Sequence, residues 1–488
     1  MGGTSVINGM LYTRESKEDF DHWEELGNYG WGYDKYALPA FKKSERARLK
    51  HFYKPAFHNT SGLLSVQHNP FKTPIANIFV EANKAMGLDE IDYNADQNIG
   101  VAHLQATTLN GRRHSAYSSF IKPALHRQNL HIMLNTRVTK VLIDPKTKVA
   151  YGVEMFRKKR RVVISARKEV ILSAGSFHSP QLLMLSGIGL KSDLDRIGVP
   201  LIQDLPVGKE MYDHISFIGL LIKTNLTNPK NLRFTPANWI PMLADYLNGK
   251  GFLTIANGVE ALSFIRTPTS NTHTPKLPDV ELILLSLTPQ VDGGYAVIEG
   301  ERVNPSNYDA VYKPAEFDPN YNFLIVLSLL HPKSVGYLEL KDKNPFNSPR
   351  FFPNFFKEPE DVESVLEAVK YTIKMVEDTK PFQTIGAKIN EHQIPSCAHH
   401  GFRTDDYWRC AIRSLCVSLH HQVGTCKMGP SSDPTAIVSP ELKVYGVKRL
   451  RVVDTSIIPE TTTSHTNAVS FMIGERAADM IKEDWKGN

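Results

Sequence analysis

The run from Lys168 to Gly189 constrains this chain more than any other stretch. Val170, Ile171 and Leu172 form a short apolar strand that delivers the chain into Ser173-Ala174-Gly175-Ser176-Phe177-His178-Ser179-Pro180. Ser179 suits a helix N-cap and Pro180 the first helical position. Leu182, Leu183 and Leu185 then fill a short helix that Gly187 ends. Small Ala174 and Gly175 leave room for a bulky planar or phosphate-bearing ligand where strand meets helix. Open α/β sheets hold dinucleotides at such points.

Two C-terminal segments carry side chains suited to proton transfer. One is Leu419-His420-His421-Gln422-Val423-Gly424-Thr425, the other Asp454-Thr455-Ser456 followed by Ser464-His465-Thr466-Asn467-Ala468. Each sets an imidazole beside backbone-permissive residues and leads toward a turn or a helix start. Imidazole is the side chain best matched to taking a proton near neutral pH. One histidine among 18 is ordinarily a surface or satisfied core residue. The reading therefore rests on His421 and His465 meeting over one reactive centre, and His178, His214 and His420 are assigned no chemistry. A helix starting near Asn467, with Val469, Met472, Ile473, Ala477, Met480 and Ile481 on its buried face, would direct its positive end back at the histidines.

Along the rest of the chain, glycines flank the short polar opening Gly2-Gly3-Thr4-Ser5-Val6-Ile7-Asn8-Gly9, so backbone there can approach a ligand closely. Periodicity predicts helices over Glu18 to Leu26, Tyr36 to Arg48, Pro74 to Met86 and Ala116 to Arg127, and strands over Leu130 to Leu134, Val138 to Ile143 and Ala150 to Phe156. The basic run Arg157-Lys158-Lys159-Arg160-Arg161 lies between strand patterns and reads as the solvated tip of a hairpin. Further on, Val280 to Leu285, Asn322 to Leu330 and Val335 to Leu340 read as strands. Asp361 to Glu377 reads as a long helix with Val362, Val365, Leu366, Val369, Ile373 and Val376 facing inward.

Composition excludes more than it assigns. A net charge of +6 over 488 residues gives no reason to invoke nucleic acid. No apolar run reaches the roughly 18 residues of a membrane span. Cys397, Cys410, Cys416 and Cys426 lack CxxC spacing, so no metal site is indicated, while one bridge, such as Cys397 to Cys410, is open to the chain. Asn59-Thr60-Ser61 and Asn225-Leu226-Thr227 are sequons that would suit a secreted protein.

Gly175 to Gly189 resembles, position for position, the second signature of the glucose–methanol–choline (GMC) flavoprotein oxidoreductases. Gly2 to Arg14 resembles the family's first signature, the two histidine segments resemble its C-terminal catalytic region, and within the family the chain is most similar to insect glucose dehydrogenase-like members. The resemblance implies an α/β fold: a Rossmann-like FAD-binding domain with an α+β substrate domain built on an antiparallel sheet. It divides the chain into 1–215, an N-terminal partial FAD-binding region, 216–334, a substrate-domain segment, and 335–484, a C-terminal region closing the FAD site. It implies that Asn8, Gly9, Met10 and Leu11 touch the flavin, that Val138 contacts the adenine side with Ala174 nearby, and that Asp454, Thr466 and Asn467 surround the ribityl chain and isoalloxazine. His421 matches the catalytic base and His465 the second active-site residue. The implied reaction is FAD-dependent oxidation of an alcohol, a sugar or small alcohol among the candidates. His421 takes the hydroxyl proton as hydride leaves for flavin N5, and quinone or oxygen accepts the electrons. An extracellular or secretory-pathway location follows from the resemblance, although this chain carries no signal peptide.

Departures from the family pattern keep other readings open. The opening βαβ unit with its G-x-G-x-x-G turn is not in the sequence, so an N-terminally truncated FAD domain is expected, with weak hold on the adenosine diphosphate half of the cofactor. Glu210 stands where Asn is usual, and Gln422 replaces the usual Pro after the base. A non-catalytic descendant or isoform that acts as a binding protein is the alternative, and a lyase with structural flavin is a narrower one. The retention of both His421 and His465 favours the oxidoreductase.

Overall fold

In the computed structural model, which describes residues 1–51, 53–227, 236–316 and 318–487, two hydrophobic cores are packed from interleaved pieces of chain. The first is organised by a seven-stranded antiparallel sheet with the order Lys388–Ile389, Ile215–Thr227, Asn320–Leu329, Val280–Leu285, Val259–Ile265, Gly100–His103, and with Cys416–Ser418 pairing beside the start of Ile215–Thr227. Helices Pro74–Ala85 and Pro359–Asp378 pack against this sheet. The strands are buried along nearly their whole length, which explains their near-continuous apolar runs in place of an alternating pattern. The few polar residues within them must face a partner or a site.

The second core gathers around the parallel pair Val170–Leu172 and Leu450–Val452, the helix Gly175–Leu185 and the helix Thr466–Asp484. A meander of Thr136–Ile143, Ala150–Arg157 and Arg160–Ser165 lies beside it. The basic run is its hairpin tip, as expected: Lys158 and Lys159 occupy the two turn positions at φ 48° and 63°. The chain passes from one core to the other at Leu11 and Tyr12, between Tyr212 and Ile215, and between Val417 and Val423. Those crossings coincide with the opening loop and with the His421 segment, so the candidate site lies on a seam between the two cores.

Several local expectations are corrected. The signature helix begins at Gly175, so Ser179 is not its N-cap and Pro180 lies inside it. Pro180 has no N–H to offer the carbonyl of Ser176. The hydroxyl of Thr425 donates to that carbonyl at 2.7 Å instead, and tertiary structure thus supplies a bond that local rules assume is missing. Leu130 to Leu134 forms no strand, since no ladder partner stands beside it among the described residues. The helix over Tyr36 to Arg48 stops at Ser44, and Glu45–Ala47 becomes a strand parallel to Leu64–Val66. The buried Glu45 carboxylate is claimed there by Arg14 at 2.9 Å and His58 at 3.0 Å, which outweighs helical propensity. Ala116 to Arg127 yields only short turns, Tyr117–Ile121 and Lys122–Ala124, with Pro123 removing a helical donor. Cys397 and Cys410 are bridged, and Cys416 and Cys426 are free.

Candidate active site

His421 and His465 meet. Nε2 of His421 lies 3.3 Å from Nδ1 of His465, with the rings nearly perpendicular at 85° and their centroids 4.7 Å apart. Different elements supply them. His421 follows the strand Cys416–Ser418, and its peptide N–H donates to Asp213 Oδ1 at 2.9 Å. His465 is the N-cap residue of Thr466–Asp484, with its own N–H donating to Thr13 Oγ1 at 3.1 Å.

Three further residues extend the pair. His214 Nδ1 stands 2.9 Å from Nδ1 of His421, and His214 Nε2 stands 2.8 Å from the carbonyl of Thr462. On the other side, the carboxyl of Glu281 lies 3.0 Å from Nε2 of His465. The result is a line of Thr462, His214, His421, His465 and Glu281 running across the seam. Glu281 comes from the central sheet, whose register places Ser328 and then Ser216 in the same row.

Burial sets the electrostatics. It holds the His421 imidazole well below its ordinary range, and the neighbouring His465 and His214 add to that effect. His214 is pushed down to about 4, again chiefly by burial. Both rings are therefore neutral at physiological pH. His420 points elsewhere and pairs with Glu301 at 3.2 Å on the surface, and its pKa is raised by that hydrogen bond.

The residues assigned to the cofactor fall into two groups. Asn8, Gly9, Met10 and Leu11 form one, beside Thr466 and Asn467. Asn8 Oδ1 accepts from Met10 N at 3.1 Å and from Arg113 at 2.8 Å, holding Met10 at φ 66°. The Asn467 side chain donates to the Leu11 carbonyl at 3.3 Å and ties the opening loop to the C-terminal helix. That helix has no side-chain cap hydrogen bond at its N-terminus, which leaves first-turn N–H groups for an electron-rich ring edge. Ala174 and Asp454 form the second group, where the two parallel strands end. Asp454 Oδ2 accepts from Gly175 N at 2.9 Å and from the Ser179 hydroxyl at 2.5 Å. Gly175 adopts φ 81°, and a Cβ there would meet nothing within 4 Å, so open space adjoins the strand ends. Val138 sits on a separate element, paired with Met155 in the meander. These donors and this opening fit a flavin and its ribityl chain.

The sequence reading gave His214 no chemistry and passed over Asp213, Glu281 and Thr462. One signal was available: Glu281 is an ionisable residue inside the apolar run Val280 to Leu285, and such a residue needs a buried partner.

The comparisons with known proteins agree with this architecture. GMC oxidoreductase family models match residues 1–216 and 332–474. A glucose dehydrogenase [FAD, quinone] of Drosophila pseudoobscura pseudoobscura is 36% identical, covering 99% of this chain and 74% of that protein. An oxygen-dependent choline dehydrogenase of Sinorhizobium fredii is 35% identical over 99% of this chain and 81% of its own length. Among solved structures, a formate oxidase of Aspergillus oryzae superposes with a TM-score of 0.84 at 23% identity, covering 99% of this chain and 84% of that one, which speaks to the fold. The chain belongs to the GMC oxidoreductase family.

Proposed function

We propose that this chain oxidises a small-molecule alcohol at its CH–OH group, with FAD as cofactor and His421 as the base. The observation that carries the reading is the convergence of His421 Nε2 and His465 Nδ1 at 3.3 Å beside the Leu11–Asn467 junction. A hydroxyl set beside the pair, within reach of both facing nitrogens, loses its proton to His421 Nε2 while His465, backed by the Glu281 carboxyl at 3.0 Å, donates to the same oxygen and aligns it. FAD, when bound, supplies the two-electron acceptor that receives hydride from the carbinol carbon. The opening loop Asn8 to Leu11, Thr466 and Asn467 would hold its ring and Asp454 the ribityl chain, with Val138 and nearby Ala174 on the adenine side.

Quinone or oxygen serves as the terminal acceptor, since relatives whose names carry each word align over almost all of this chain. A sugar or a small aliphatic alcohol is the substrate class. Among the described residues no helix is long and apolar enough to cross a membrane. The Cys397–Cys410 bridge and the exposed sequon residue Asn225 favour a secretory location, because disulfides persist in oxidising compartments.

The reading is tested by loading the protein with FAD and adding a panel of sugars and small alcohols without acceptor. Bleaching of the flavin is expected for at least one of them, and a deuterium on the carbinol carbon should slow it. A flavin that stays oxidised across the panel would refute the reading.

A further inference from the structure

Three hydrogen-bonding requirements meet at His214, and together they decide which nitrogen of His421 is free to act. The carbonyl of Thr462, 2.8 Å from His214 Nε2, can only accept, so the proton of the neutral His214 ring resides on Nε2. The same ring is only 3% exposed, so it has no solvent to satisfy it otherwise. The Leu330 carbonyl also acts on this ring and, being an acceptor, competes for the same single proton. Nδ1 of His214 is then a lone pair. It faces Nδ1 of His421 at 2.9 Å. Two lone pairs at that separation would repel, so His421 must present Nδ1–H to His214. A neutral imidazole has one proton, so Nε2 of His421 carries none and faces His465 Nδ1, which by the same rule must present its N–H to it.

We propose that His214 is a positioning residue that locks His421 in the Nδ1–H tautomer, so that Nε2 is the atom that takes the substrate proton. This rests on the assignment of His421 as base, and it adds what makes that base competent. His214 touches neither substrate nor flavin in this account. Its work is to hold a proton at one ring position, with the Thr462 carbonyl as the anchor. The anchoring segment Thr462–Ser464 leads directly into His465, so one stretch of backbone fixes the tautomer of the first histidine and the position of the second.

The protein labelled with ¹⁵N-histidine tests this without flavin or substrate. Long-range ¹H–¹⁵N correlations distinguish a protonated Nδ1 from a protonated Nε2, and the His421 signals are identified by their loss in His421→Gln. His421 is expected as the Nδ1–H tautomer in the wild type. His214→Met removes the acceptor and should release His421 to a mixed or Nε2–H state. His214→Gln keeps an oxygen for His421 and an amide N–H for Thr462, and should preserve Nδ1–H. In FAD-loaded protein, kcat should fall about 10²-fold in His214→Met with KM little changed, and recover largely in His214→Gln. An Nε2–H tautomer in the wild type, or a His421 tautomer unmoved by His214→Met, would overturn the proposal. The spectra stand independently of turnover, so absence of alcohol oxidation in the wild type would count against the function alone.

Discussion

Asp213 holds the backbone of His421 in place: its Oδ1 accepts the His421 N–H at 2.9 Å, while Oδ2 accepts the Ser418 hydroxyl at 2.5 Å and the Gln422 amide at 2.8 Å. One carboxylate thus ties the strand end, His421 and the residue after it into a single turn. Gln422, which departs from the family pattern, is recruited into this turn as a donor.

Asp213→Ala should therefore disturb both stability and catalysis. It leaves buried donors unpaired at a cost of about 1–3 kcal/mol each, and it frees the His421 backbone to drift. We expect a lowered Tm and a kcat reduced more than tenfold. Asp213→Asn keeps an accepting oxygen and should recover part of both. Calorimetry and steady-state kinetics on the two variants check this, and a wild-type kcat in Asp213→Ala would contradict it.

Glu15 should make stability depend on pH. Its side chain is buried, it lies near Asp19, and only Thr462 and Ser464 offer it hydrogen-bond donors. Burial holds the Glu15 carboxyl well above its ordinary range and pushes Asp19 up to about 7. In the unfolded chain both groups ionise near pH 4. Above that value the folded chain keeps protons that the unfolded chain has released, so stability falls as pH rises toward 7. Glu15→Gln removes one of these protons. Urea unfolding between pH 5 and 7 should then show a shallower slope, by at most about 1.4 kcal/mol per pH unit. An unchanged slope would mean that Glu15 is ionised in the fold.

The hydroxyl of Thr425 should matter only because of Pro180. Thr425→Val strips the donor from the Ser176 carbonyl and should cost about 1–2 kcal/mol. In a Pro180→Ala background the new N–H at position 180 can serve that carbonyl, and the cost of Thr425→Val should shrink by about 1 kcal/mol. A double-mutant cycle by urea denaturation measures the coupling, and strict additivity would contradict the account.

These cases also show how far the sequence could be read. The meeting of His421 and His465 was legible because each sits in a short segment whose residue types suit proton transfer. Two strands of the central sheet were legible in the apolar runs Val280 to Leu285 and Asn322 to Leu330, which fall on Val280–Leu285 and Asn320–Leu329, while their antiparallel pairing came only from the family resemblance. The helix behind His465 was legible from Val469, Met472, Ile473 and Ala477, all buried. Ser179 and Pro180 misled because capping preferences are local, whereas the donor that lets Pro180 sit inside the helix comes from Thr425, far along the chain. His214 and Glu281 were missed for a related reason. Their roles exist only where strands distant in sequence bring them to the same seam, and nothing within a few residues of either announces its partner.

Anaerobic flavin bleaching, followed in FAD-loaded wild type and His421→Ala with the same alcohol, tests the central claim most directly. The wild type is expected to bleach and the variant to bleach about 10²–10⁴-fold more slowly while still retaining its flavin. Equal rates in the two proteins would contradict it.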